Sequence, residues 1–341
     1  NNFIKNYFAK YFKYVHYIVF SDANTEVNVS PNTTGYEQMN NNGIRNDIIY
    51  YYNDKEINSK SKSNITYWRF NSIKFFIDNF SCDNVFLRGD YSRVYDLIYK
   101  NFKNIVLYRA GCLSNQPRLY DRGVNVYLYD DKESITYKNA RSRFKKCRFI
   151  KMLKSAPLDF EYQNKEKKYD ILIVSKETSQ AENYKLIYEL LDYLLIKKII
   201  DLKILIVGFR DKAEKRIKEI YKKYKILDLE VHPIVSKVKI IEYYNTSNIL
   251  FVPTIHDGNP RIICEAYSCG LKPVCSSLLM NGKDQIREYG GAVIKYDKKF
   301  YSNLVNESKK EYDKVKLANA GKAFGEKTAR SIFKCLFPSE N

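Results

Sequence analysis

The sequence lacks any uncharged apolar run of the roughly eighteen residues that a spanning helix requires. Its N-terminal stretch, Asn1–Lys13, is aromatic and basic, without the apolar centre and small-residue cleavage site of a secretory signal. It reads as a helix or a trimmed chain end. The seven cysteines, Cys82, Cys112, Cys147, Cys264, Cys269, Cys275 and Cys335, include no C-x-x-C pair, which removes support for a zinc ribbon or a thioredoxin-like site. An odd, scattered set suits a reducing compartment, so a cytoplasmic location is expected. No G-x-G-x-x-G follows a strand-like run, which weakens a dehydrogenase. No nucleic-acid-binding module and no repeat of 20–50 residues is recognisable. Acidic residues are in short supply: 39 Asp+Glu face 58 Lys+Arg, a net charge of +19. Such a field favours nucleotide diphosphates, nucleic acid or an anionic membrane face without choosing among them. The abundance of Lys, Asn, Ile and 31 Tyr also fits an AT-rich genome, which raises Lys without selection for binding.

What is present is enough for two cores: 341 residues, 45% of them hydrophobic. Tyr14–Phe20 and Ile48–Tyr52 read as strands, Ser21–Gly43 and Lys55–Ser63 as loops, and Ile73–Phe80 as a helix. From there strands and helices alternate. Strands are expected at Asn84–Leu87, Asn104–Tyr108, Val124–Tyr129 and Arg148–Met152, with helices at Tyr91–Phe102 and Ser134–Lys146. The polar stretch Pro157–Lys168 separates these from a second series. Its strands are Asp170–Val174, Leu202–Val207, Leu229–His232, Ile249–Val252, Lys272–Ser276 and Gly291–Ile294. Its helices are Gln180–Ile196, Lys212–Tyr224, Lys237–Tyr244 and Pro260–Cys269, with one or two more in Lys309–Phe337. The alternation predicts an α/β fold of two Rossmann-like, doubly wound halves facing a central cleft. Ligands in such sheets lie at the carboxyl ends of the strands.

The informative run is ILFVPTIHDGNPRIICEAYSCGLKPVCSS, Ile249–Ser277. A buried strand ends at Pro253, and the loop His256-Asp257-Gly258-Asn259 follows. Asn259 is expected as N-cap, with Pro260 in the first helical position and Gly270 in the left-handed position after the last turn. A helix start at the cleft is a natural anion site, suited to a diphosphate. Asp257 precedes the helix, and Glu265 lies inside it, four residues after Arg261 on the same face. Carboxylates accept hydrogen bonds from sugar and ribose hydroxyls, so this pair is placed to hold the two ends of a nucleotide-sugar.

The run resembles the donor-binding signature of the GT4-like retaining glycosyltransferases of GT-B fold, P-S-x-x-E-G-x-G-x-x-x-x-E-A-x-A-x-G-x-P-V. Pro253-Thr254 matches P-S, Asp257-Gly258 matches E-G, Glu265-Ala266 matches E-A, and Cys269-Gly270 with Pro273-Val274 matches the end. The resemblance covers about residues 170–295; the first 165 show only a compatible pattern. Asp257 is one methylene shorter than the family's Glu, Asn259-Pro260-Arg261 replaces Phe-Gly-Leu, Ser175-Lys176 stands where Gly-Arg is usual, and Lys272 is an extra residue before Pro273.

The resemblance implies transfer of a sugar from a UDP- or GDP-linked donor to a hydroxyl acceptor on a glycan, lipid or protein, with retention and without metal or other cofactor. In that reading Asp257 and Glu265 are the catalytic pair. Lys176, Arg210, Gly258, Asn259, Pro260, Arg261 and Glu265 hold the donor. Arg88, Arg109 and Gly111 follow expected N-terminal strands, which places them on the cleft as acceptor-side candidates, with plain loop chemistry an equally good reading. For Lys176 and Arg210 a solvated surface role reads equally well. Asp130-Asp131 reads as a turn rather than a metal site. Residues 1–160 are expected as the acceptor domain, 169–315 as the donor domain, and 316–341 as a C-terminal helix able to cross back. A peripheral contact with anionic membrane stays open, as does the oligomeric state. The competing readings are a catalytically degenerate nucleotide- or glycan-binding homologue and, further off, a basic nucleic-acid-binding protein.

Overall fold

A computed structural model describes residues 7, 15–18, 65–68, 84–88, 99–100, 102–108, 123–132, 134–175, 182–209, 213–255 and 260–338. Strands β1 (Val15–Ile18) and β2 (Ile65–Trp68) pair parallel. Strands β3 (Asn84–Arg88), β4 (Asn104–Tyr108) and β5 (Val124–Tyr129), helix α1 (Ile135–Arg143) and strand β6 (Arg148–Lys151) build a parallel sheet in the order β3-β4-β5-β6. Asparagines align its entry edge. Asn104 Nδ2 donates to Asn84 Oδ1 at 2.7 Å, and Asn125 Oδ1 accepts the Ile105 N–H at 2.7 Å where the β4–β5 register shifts. Ser134 caps α1 by accepting the Tyr137 N–H at 3.1 Å.

The second sheet has β7 (Tyr169–Val174), α2 (Glu182–Lys197), β8 (Ile204–Phe209), α3 (Ala213–Lys223), β9 (Leu229–Pro233), α4 (Lys237–Asn245) and β10 (Ser247–Val252). It continues through α5 (Arg261–Ser268), β11 (Lys272–Ser276), α6 (Lys283–Glu288), β12 (Ala292–Ile294), α7 (Phe300–Ser308) and α8 (Lys314–Leu336). All its strands are parallel, in the order β12-β11-β10-β7-β8-β9. Successive strand residues point to opposite faces. Ile171 and Ile173 pack with Ile204, Ile206, Phe251 and helix α2 on one face, while Leu172, Leu205, Leu250 and Val252 pack with α4 and α5 on the other. Both faces are covered, which is why these strands read as unbroken apolar runs.

The chain between the sheets, 152–168, has no regular secondary structure. It is tied to the end of α4 by Asn245, which accepts the Gln163 N–H at 2.6 Å and donates to the Glu161 carbonyl at 3.0 Å. Helix α8 touches both sheets' cores. Leu317 and Phe324 pack with α4 and α5, whereas Ala329 and Ile332 pack with Val106, Val126, Leu128 and Tyr7. Thr328 Oγ1 accepts the Leu153 N–H at 3.0 Å. Gly321 makes the α8–α5 approach possible: a Cβ there would lie 2.5 Å from the Ser268 backbone nitrogen.

The strands at Asn104–Tyr108, Val124–Tyr129 and Lys272–Ser276 fall where the sequence places them. The expected Lys309–Phe337 helical stretch is the single helix α8, beginning at Lys314. Strand β2 and helices α6 and α7 are additions. The expected strand Ile48–Tyr52 and helix Ile73–Phe80 lie outside the described residues.

Candidate functional site

Strands β7 and β10 are neighbours at the centre of the C-terminal sheet, and the chain winds away from them in opposite directions, to β8 and β9 on one side and to β11 and β12 on the other. Such a reversal opens a crevice at the carboxyl ends of the two central strands. The ends here are Val174-Ser175 and Val252-Pro253-Thr254, with Ser175 and Thr254 both buried. The Ser175 N–H is fixed by the Val207 carbonyl at 3.0 Å. From the other side the loop after β11 closes in, where the Met280 N–H donates to the Ile255 carbonyl at 3.0 Å.

Helix α5 starts at this crevice. Pro260 is its N-cap, in an extended conformation (φ −60°, ψ 128°), and Arg261 is the first helical residue. This corrects the expected frame by one position. Pro260 has no side-chain acceptor, and no cap hydrogen bond is made from its side chain to the first turn. A helix start without a side-chain cap keeps its partial positive charge for another anion. The far end of α5 follows expectation. Gly270 has φ +67°, the Leu271 N–H reaches the Ala266 carbonyl at 2.8 Å and the Gly270 N–H the Tyr267 carbonyl at 2.9 Å, which together are a Schellman closure.

Glu265 sits one turn into α5, half-buried. Its Oε2 accepts from the Tyr244 hydroxyl of α4 at 3.0 Å, and Tyr244 is itself wholly buried, edge-on to Phe160. Burial pushes the Glu265 carboxyl above its ordinary value, opposed by the Tyr244 hydrogen bond and by the charges of Arg261 and Lys237. Desolvation therefore outweighs the nearby positive charges. A ligand hydroxyl donating to this carboxylate would replace part of the lost hydration. Tyr244 was not legible as a site residue, because its partner lies 21 positions away on another helix and nothing local links them.

Of the residues expected at the site, Pro260, Arg261 and Glu265 are brought together on α5. Arg88 ends β3. Asp257, Gly258, Asn259, Lys176, Arg210, Arg109 and Gly111 lie outside the described residues. The extra residue Lys272 opens β11 and pairs with Glu307 of α7 at 2.7 Å, so it serves packing behind the crevice.

Asp130-Asp131 follows β5, and both side chains are buried. Asp130 accepts from Tyr108 at 3.0 Å. Asp131 Oδ2 accepts the Gly282 N–H at 3.1 Å and the Asp284 N–H at 3.4 Å, capping α6, whose own N-cap is a glycine. Asp284 in return accepts the Lys132 N–H at 3.1 Å, and Lys151 of β6 pairs with Glu288 at 2.5 Å. The aspartate pair thus joins the end of the N-terminal sheet to α6.

Residues 156–322 match the family model of the glycosyl transferases group 1. The matched segment includes the second sheet, α5 and the first part of α8. A comparison with curated protein sequences gives no match. Among solved structures, the chain is similar to the lipopolysaccharide outer core galactosyltransferase WaaB in its apo form, with TM-score 0.56, 13% identity, and 78% of this chain and 77% of that one covered. It is similar to sucrose-phosphate synthase from Thermosynechococcus elongatus, with TM-score 0.50, 15% identity, and coverage of 78% and 74%. It is also similar to the pneumococcal O-GlcNAc transferase GtfA in complex with UDP and GlcNAc, with TM-score 0.51, 11% identity and 78% of this chain covered; there it spans 58% of the other chain. At these identities the likeness is one of fold. The fold is GT-B, with two Rossmann-like halves.

Proposed function

We propose that the protein is a retaining, GT4-like glycosyltransferase that moves a sugar from a nucleotide-diphosphate donor, UDP- or GDP-linked, to a hydroxyl acceptor. The observation that carries this is helix α5: it starts, without a side-chain cap, at the switch point of a glycosyl transferases group 1 segment, with the half-buried carboxylate of Glu265 one turn inside. The UDP and GlcNAc held by the similar GtfA support the donor class.

In this mechanism residues 169–315 hold the donor and 1–160 the acceptor, with 316–341 bridging them. Glu265 accepts hydrogen bonds from the ribose hydroxyls. Backbone N–H groups around Gly258–Arg261, with Lys176 and Arg210, stabilise the charge that develops on the departing diphosphate. Asp257 contacts the transferred sugar. Arg88, Arg109 and Gly111 face the acceptor. No metal is required, because the diphosphate charge is met by the helix start and basic side chains. The scattered cysteines fit action in the cytoplasm; among the described residues, Cys147, Cys264, Cys269, Cys275 and Cys335 form no disulfide.

A thermal-shift panel of UDP-, GDP-, CMP- and ADP-linked sugars tests the reading and names the donor. Stabilisation by one nucleotide class is expected, and none across the panel would overturn it. Asp257→Asn then separates an enzyme from a binder. Turnover should fall about tenfold or more with nucleotide affinity unchanged, since one charge-assisted hydrogen bond is worth about 1.5–3 kcal/mol. Equal turnover in both forms would remove Asp257 from the mechanism.

A further inference from the structure

The edge of the C-terminal sheet opposite the crevice carries a second surface that the transfer reaction does not use. The loops 198–203 and 224–228 lead into β8 and β9, which are neighbours, and the Ile204 N–H donates to the Asp228 carbonyl at 3.0 Å. The ends of α2 and α3 meet there, where Asp192 accepts from Tyr224 at 2.8 Å and pairs with Lys223 at 2.8 Å. Three large aliphatic side chains project from this edge into solvent: Ile196 at 75% exposure, Ile200 at 54% and Ile226 at 51%.

Lysines interleave with them. Lys197 and Lys198 stand between Ile196 and Ile200, and Lys222 and Lys225 precede Ile226. All four are exposed, and none has a carboxylate within 4.0 Å among the described residues. The exposed acids of the two loops are Asp201 and Asp228. Composition accounts for many lysines and isoleucines in this chain; it does not account for three isoleucines left exposed at one edge among unpaired lysines.

We propose that this edge docks on an anionic lipid bilayer. Unpaired lysines are attracted to the negative surface, and isolated aliphatic side chains between them enter the headgroup boundary while the lysine stems lie along it. A nucleic-acid surface would instead call for several stacking rings between the charges; the exposed ring here, Tyr221, is a single one and is tied down where its hydroxyl accepts the Val231 N–H. An obligate protein interface would call for an apolar centre depleted of charge. No described helix is long and apolar enough to cross a membrane; the proposed contact is a peripheral one made by this edge. Because the edge lies at the other end of the strands from the crevice, docking leaves the crevice open. The inference is independent of the proposed reaction.

The test is co-sedimentation with phosphatidylcholine vesicles, with and without phosphatidylglycerol. Binding is expected only to the phosphatidylglycerol vesicles and should be lost in about 0.5 M salt, where charges are screened within a few ångströms. Each of Lys197→Glu and Lys222→Glu should lower partitioning about fivefold or more. The triple variant Ile196→Ser, Ile200→Ser, Ile226→Ser should lose about tenfold, with its melting temperature unchanged. Equal binding to both vesicles, no binding, or full binding by the triple variant would overturn the proposal. So would a dimer in sedimentation equilibrium that the triple variant dissociates, because the edge would then hold a second copy.

Discussion

In the C-terminal half, strand order runs outward from β7 and β10 in both directions; in the N-terminal half, β3, β4, β5 and β6 follow one another in one direction. Among the described strands, only the first arrangement places two loops side by side at the carboxyl ends of adjacent strands whose connections run in opposite directions. The two halves also differ in their residues. The central C-terminal strands carry long apolar runs packed on both faces, as in ILIVGF and the ILFV of SNILFV, whereas β3 and β4 of the N-terminal sheet open with asparagines that pair across the entry edge. Chain direction, more than composition, therefore locates the crevice, and the N-terminal half is joined to it through α8, Asp131 and the Lys132–Asp284 and Lys151–Glu288 contacts.

The strongest way to break the comparison is to separate α8 from the C-terminal half. In Gly321→Val the new side chain meets the backbone of Ser268, an obstacle that cannot change rotamer. The expected loss is about 3 kcal/mol of unfolding free energy, the upper part of the overpacking range. Urea denaturation measures it. A loss under about 1 kcal/mol would show that α8 and α5 move apart easily and that α8 is not what joins the halves.

Next in size is the site carboxylate. Glu265→Ala should weaken nucleotide binding roughly ten- to hundredfold, the worth of charge-assisted hydrogen bonds, by isothermal titration. Its pKa gives a second, opposite readout. Glu265 is held above its ordinary value by burial, so the stability it contributes is fully present below about pH 4.3 and is lost as pH rises through the folded value. Glu265→Gln removes that loss and still accepts from Tyr244. It should gain about 0.5–2 kcal/mol on the wild type at pH 7, and little at pH 4. No gain at pH 7 would mean that the carboxylate is not strained by burial.

The sequence showed the crevice because its frame is local. A buried strand, Pro253, Gly270 and Glu265 all lie within one run, and backbone preferences place them. The error at Pro260 is also local: proline suits both the cap and the first turn, and the choice depends on whether ψ is extended. What escaped depends on partners distant in sequence. Helix α6 has a glycine cap (φ 98°) and takes its capping carboxylate from Asp131, 151 residues earlier. Helix α7 opens after Lys299 with no side-chain cap and reads FYSNLVNES, a poor helix former whose Phe300 and Leu304 are held by the core. Strand β2 has only four residues.

A smaller effect probes the seam itself. Asp131→Ala removes two backbone partners from the start of α6 in one step. It should cost about 1–2 kcal/mol, as the loss of a helix cap does. Asp131→Asn, which keeps one acceptor, should cost less. Thermal unfolding of the three proteins gives the order. If Asp131→Ala is neutral, the halves are held by α8 and by the Lys132–Asp284 and Lys151–Glu288 contacts, not by the α6 cap.

The finest distinction concerns how the C-terminal half aims its carboxylate. Tyr244 is fully buried, and burial with the adjacent Glu265 holds its hydroxyl far above the ordinary phenol range, so it remains a donor at every working pH. By engaging one oxygen of Glu265 it fixes the direction of the other, which in the proposed function accepts from a ribose hydroxyl. Tyr244→Phe keeps the ring against Phe160 and removes only this bond, worth about 0.5–1.5 kcal/mol. Two readouts follow. At pH 8 nucleotide affinity should fall about two- to tenfold. The acid limb should also move. Binding needs the carboxylate, so affinity is lost as pH falls through the Glu265 value, and without the Tyr244 bond that value rises further. The limb should therefore appear at higher pH in Tyr244→Phe than in the wild type. A packing role alone would lower affinity uniformly and leave the limb in place, and that outcome would return Tyr244 to the core.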